Sequence, residues 1–113
     1  MDRIKKYQDL IVRLLEEYAS TKPANLSDHE YQIVTDIEHG HFQLISMGWQ
    51  QDRFFYNVIL HLDLKTDGKI WLQVNNTDWN IVDSLLENGV LAAQIVLGFV
   101  SPALRPFSQF ANP

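Results

Sequence analysis

Phe54-Phe55-Tyr56-Asn57-Val58-Ile59-Leu60-His61-Leu62-Asp63-Leu64, then Lys65-Thr66-Asp67-Gly68, then Lys69-Ile70-Trp71-Leu72-Gln73-Val74-Asn75 is the stretch on which the fold turns. Two runs rich in β-branched and aromatic residues, separated by a short segment ending in Asp-Gly, read as a β-hairpin. Its register follows from which side chains must share a face. A two-residue Asp67-Gly68 loop would set Leu64 opposite Trp71 and split Leu60, Leu62 and Leu64 from Ile70, Leu72 and Val74. A three-residue loop, Thr66-Asp67-Gly68, instead pairs Leu64 with Ile70, Leu62 with Leu72 and Leu60 with Val74, so that both apolar sets face one core. Gly68 then occupies the left-handed position that such a loop requires.

Strict alternation places Phe55, Asn57, Ile59, His61 and Asp63 on the opposite face of the first strand, and Trp71, Gln73 and Asn75 on that of the second. A solvent-facing strand would carry more Lys, Glu and Thr, so this mixed face is expected to be partly covered, by a helix of the same chain, a second copy or a partner. Ile59, His61, Trp71 and Gln73 are the expected interface residues, with Trp71 as the anchor.

Outward from the hairpin the pattern continues. Phe42–Trp49 and Tyr31–Glu38 read as two further strands, joined by turns at Gln50-Gln51-Asp52 and His39-Gly40-His41. Ile4, Tyr7, Leu10, Ile11, Leu14, Leu15 and Tyr18 recur at helical spacing, with Asp2 as N-cap. Pro23 ends that helix, and Lys22–Glu30 reads as a loop. After the hairpin, Thr77 is placed to cap a second helix over Asp78–Asn88, stopped by Gly89. Ile95–Phe99 is a short extended segment, and Phe107 and Phe110 in the Pro-containing tail call for burial. The expectation is one α+β domain over residues 1–113: an N-terminal helix, a four-stranded antiparallel meander, a C-terminal helix and a short extended segment.

Composition narrows the function classes. The chain has 113 residues, no cysteine, 46% hydrophobic residues and a net charge of −5. Without cysteine there is no disulfide framework and no thiolate metal site. No apolar run approaches the ~18 residues of a membrane span, and the charged first fifteen residues do not read as a signal peptide. A cytoplasmic location without a membrane partner is expected. Net negative charge opposes long-range attraction to phosphates, so no direct DNA binding is expected of the protein alone.

Sites for chemistry are sparse. His39 and His41 flank a turn, but no spacing dictates a third ligand, so no cofactor and no stoichiometric transition metal are expected. His61 and Asp63 lie two apart on one strand, as a base and its orienter could. No serine sits in a glycine-flanked elbow, and the five glycines form no phosphate loop. His61 reads better as a half-buried sheet histidine bonded to a neighbour.

Several segments, in order, resemble the XisI family of accessory factors of DNA-element excision in cyanobacteria, the fdxN element excision controlling factors. They are Met47-Gly48-Trp49, Leu60-His61-Leu62-Asp63, Asp67-Gly68-Lys69-Ile70-Trp71-Leu72-Gln73, Thr77-Asp78 and Leu85-Leu86-Glu87-Asn88-Gly89-Val90, followed by Ile95-Val96-Leu97-Gly98-Phe99 and Arg105-Pro106-Phe107-Ser108-Gln109-Phe110-Ala111. The opening helix fits as well, so the resemblance covers nearly the whole chain. It implies a non-catalytic factor that binds a XisH-like protein, alone or as a homodimer, to control a site-specific recombinase. It brings no catalytic residues. The alternative is a small metal-binding or hydrolytic protein using His39, His41, His61 and Asp63.

Overall fold

The computed structural model describes residues 2–21 and 28–113. Helix α1 spans Arg3–Ala19, and the Asp2 carboxylate accepts the Ile4 N–H at 3.0 Å, as its position before the apolar stripe predicts. The stripe Tyr7, Leu10, Ile11, Leu14 and Leu15 is buried. Arg3 ties the start of the helix to the Asp67 carbonyl, and Arg13 ties its end to Asn88. Of the loop expected over Lys22–Glu30, residues 22–27 lie outside the described residues, while His29 and Glu30 already belong to a strand.

Five strands follow: β1 (His29–Asp36), β2 (His41–Gln50), β3 (Arg53–Leu64), β4 (Ile70–Asn75) and β5 (Ile95–Leu97). They lie side by side in chain order. The first four form the expected antiparallel meander. The short extended segment adds a fifth strand, β5, parallel to β4, with helix α2 (Ile81–Glu87) in the crossover between them. The class is α+β, as expected, with one strand more.

One sheet face is the core. Phe42, Leu44, Leu60, Leu62, Leu64, Ile70, Leu72 and Ile95 meet the α1 stripe together with Ile81 and Leu85 of α2. Each such side chain contributes roughly 1.5–3 kcal/mol on burial. The Thr66-Asp67-Gly68 loop has the expected length: Leu64 pairs with Ile70, Leu62 with Leu72, and Gly68 has φ +88°.

Two β-bulges depart from strict alternation. Leu44 pairs with Leu60 but Ile45 with Val58, which leaves Ile59 as an extra residue in β3. Upstream of it the faces exchange: Phe54, Tyr56 and Val58 join His61 and Asp63 on the far face, while Phe55 and Asn57 turn to the helix side. Ile59 itself packs against the core. On β4, Gln73 is the extra residue, so Leu60 pairs with Asn75 and His61 with Val74, where Leu60 with Val74 was expected.

Helix α2 also starts later than Thr77 suggests. The Thr77 hydroxyl donates to Asn75 Oδ1 and accepts the Trp79 N–H, a local turn that competes with capping. Asn80 Oδ1 caps instead, accepting the Asp83 N–H. At the other end Gly89, with φ +93°, closes the helix, its N–H on the Leu86 carbonyl and that of Val90 on Leu85.

The tail wraps the β5 edge. Arg105 bonds the Val100 carbonyl at 2.9 Å and lies 5.2 Å from the Trp71 ring centre, and Ala111 N–H bonds Ile95 O. Phe110 packs against the core as expected, whereas Phe107 is 84% exposed, because it sits in the single turn Arg105–Phe107 on the outside of the wrap.

Gly40 is the sharpest steric constraint. It has φ +75°, and an added Cβ would lie 2.1 Å from the Leu64 carbonyl oxygen, which belongs to the backbone of β3. Gly89 has a similar φ but nothing within 4 Å of its Cβ position. Gly40→Ala should therefore cost ~3 kcal/mol or more, and Gly89→Ala only ~1 kcal/mol from backbone strain. Thermal unfolding checks this: the Tm loss at Gly40 should clearly exceed that at Gly89, and equal losses would refute the steric reading.

Candidate functional site

Among the described residues, the far face of β2 and β3 carries no helix. Its two ends differ in chemistry. At the end next to the His41 turn, the β2–β3 register sets His41 opposite Asp63 and Gln43 opposite His61. Period-two alternation puts His61 and Asp63 on the same side. The result is a polar cluster: His41 Nδ1 and His61 Nε2 lie 2.7 and 2.8 Å from Asp63 Oδ1, and Gln73 Nε2 donates to Asp63 Oδ2 at 3.1 Å. Gln43 Nε2 lies 2.9 Å from His61 Nδ1. With the amide nitrogen donating, His61 Nδ1 accepts and Nε2–H is directed at Asp63.

Asp63 is buried, His61 half-buried and His41 half-exposed. Burial pushes the Asp63 carboxyl up, but hydrogen bonds from His41, His61 and Gln73 outweigh it and hold the group below its ordinary value. His39 stands apart, turned to Asp36 at 2.8 Å on the exposed turn. The fold thus gathers three of the four residues of the metal-binding or hydrolytic alternative. The His39–His41 pair that the turn suggested is split: His41 meets His61 and Asp63, and His39 does not. Among the described residues no serine or threonine hydroxyl is hydrogen-bonded to the cluster.

The other end of this face is apolar. Trp49 pairs with Phe54 and Met47 with Tyr56, so all four point the same way. Trp49, Phe54 and Tyr56 are each half or more exposed, and the Trp49 and Phe54 rings lie 5.2 Å apart. Behind them is an open hollow of about 680 Å³, lined among the described residues by His29, Arg53, Phe55 and Asn57 in part. The radius of gyration is 15.1 Å, against ~13 Å for a compact domain of this length, as a projecting hairpin would produce.

Of the four residues expected at an interface, His61 and Gln73 meet around Asp63. Trp71 lies on the same face between Lys65 and Arg105, half-buried under the chain's own tail. Ile59 is separated from them by its bulge. The exposed aromatic group escaped the sequence reading, which took Trp71 as the anchor. The readable signal was the two-residue turn Gln51-Asp52, which sets Trp49 against Phe54.

The sign of the Asp63 shift fixes a pH dependence. Its folded pKa lies below its unfolded one, so its stabilisation is complete above the ordinary value near ~3.9 and is lost as pH falls through the lower folded value. Asp63→Asn should cost ~1–3 kcal/mol at neutral pH. Chemical unfolding across an acid series should show the gap between native and variant closing below pH ~4; a gap independent of pH would contradict the ionised, hydrogen-bonded carboxylate.

Comparison with known proteins follows the same lines. The family model described as XisI protein matches residues 1–112. A crystal structure of a XisI-like protein from Anabaena variabilis superposes with a TM-score of 0.89 at 39% identity, covering 97% of this chain and 99% of that one. The fdxN element excision controlling factor XisI from Anabaena variabilis superposes with a TM-score of 0.83 at 25% identity, covering 99% of this chain and 100% of that one. No match is found among curated proteins. The chain belongs to the XisI family.

Proposed function

We propose that this protein is a non-catalytic accessory factor that controls excision of a DNA element by binding a XisH-like protein. The observation that carries the reading is the end of the β2–β3 hairpin, where Trp49, Phe54 and Tyr56 are exposed together on a sheet face that no helix among the described residues covers. Exposed aromatic groups of this kind anchor protein interfaces, since each buries a large area with little loss of side-chain freedom. A family relative named as an excision controlling factor supports the biological setting.

Charge supports the choice of partner. A domain of net charge −5 complements a basic, DNA-binding protein and gains association rate and specificity from it. Self-association through the same hairpin is the competing occupant. No helix among the described residues is long and apolar enough to cross a membrane, and a cytoplasmic site of action fits a partner that works on DNA.

Co-expression with a tagged XisH-like protein tests the reading. The native chain should co-purify in fixed proportion. Trp49→Glu and Phe54→Glu, each checked for an unchanged circular dichroism spectrum, should weaken the complex by ~2 kcal/mol or more, roughly 30-fold in Kd. Phe107→Glu, outside the hairpin, should leave it unchanged. Failure of the native chain to co-purify, or full binding by both hairpin variants, would overturn the proposal.

A further inference from the structure

His41 Nδ1, His61 Nε2 and a carboxylate oxygen of Asp63 all lie within 4.8 Å of one another. We infer that these three side chains bind one divalent transition-metal ion of the zinc type, with a coordination position left open to water. This stands independently of the partner-binding role: it uses the opposite end of the β2–β3 face from the aromatic hairpin.

The donor set selects the ion. Two imidazoles and one carboxylate suit zinc and its neighbours, whereas magnesium and calcium require oxygen ligands throughout. The geometry is close to what such an ion needs. With bonds of ~2.0–2.2 Å, neighbouring ligand atoms in a tetrahedral site stand ~3.3 Å apart. The present separations of 2.7 and 2.8 Å are hydrogen bonds and must open by about half an ångström. Two of the ligands sit two residues apart on one face of β3 and the third directly across from Asp63 on β2, so the sheet register holds all three near one another before any ion arrives.

The surroundings also suit a metal. Gln73 holds the second Asp63 oxygen at 3.1 Å and would orient the carboxylate. Gln43 faces His61 Nδ1 at 2.9 Å. On binding, the His61 proton moves from Nε2 to Nδ1 through solvent, Nε2 donates its lone pair to the ion, and the Gln43 amide turns its oxygen to accept the Nδ1–H. His41 Nδ1, which now donates to Asp63 Oδ1, passes its proton through solvent to Nε2 on the half-exposed side of the ring and ligates through the freed Nδ1 lone pair. The ring protons change place without net release.

The test uses untagged, full-length protein, stripped with a chelator and titrated calorimetrically with zinc near neutral pH. One equivalent should bind. His41→Ala, which removes a half-exposed ring and should not disturb folding, and His61→Ala should each weaken binding by about tenfold or more. His39→Ala should leave it unchanged, and magnesium should give no saturable heat. Cobalt in place of zinc should give visible bands that both cluster variants lose. Absence of saturable zinc binding, or unchanged affinity in the His41 and His61 variants, would overturn the site.

Discussion

Ile59 has no partner on β2, and the bulge it makes opposite the Leu44–Ile45 step decides which side chains the sheet gives to the helices. After it, Leu60, Leu62 and Leu64 point into the core beneath α1. Before it, the order is reversed, and Phe54, Tyr56 and Val58 face away. A one-residue insertion moves every upstream side chain to the other side. Without it Phe55 and Ile59 would face outward, and the aromatic hairpin would turn inward against the helices. The placing of Phe54 and Tyr56 beside Trp49, on the face that also carries His61 and Asp63, follows from where that residue falls.

The two ends of the far face answer to different physics. Around Asp63 one buried carboxylate is satisfied by three donors from three strands, an arrangement that holds only if every member keeps its partner. Around Trp49 the same face exposes apolar area that the described residues do not cover. The tail could have covered it, but Arg105 directs the tail over Trp71 at the β5 edge. This end therefore has apolar area that a second protein would bury.

Much of this was legible in the residues. The periodicity of α1 and its Asp2 cap, the antiparallel meander, the Thr66-Asp67-Gly68 loop and the stop at Gly89 each rest on one local rule that nothing elsewhere in the molecule opposes. The bulge left no such mark. Val58-Ile59-Leu60 is apolar throughout, so an extra residue there interrupts no alternation. The start of α2 was misplaced because Thr77 and Asn80 are both sound caps, and only the Asn75 side chain decides between them. The pairing of β5 beside β4 and the convergence of His41 on Asp63 depend on contacts far apart in the chain, which spacing within a segment does not encode.

The central functional claim is that this acidic domain acts on DNA only through a protein partner. A gel-shift titration with duplex carrying an element end, at ~0.1 M salt where the Debye length is ~10 Å, tests it most directly. The account predicts no sequence-dependent shift by the domain alone, a shift by the XisH-like partner, and a further retarded complex when the two are mixed. Tight, sequence-dependent shifting by the lone domain would contradict it.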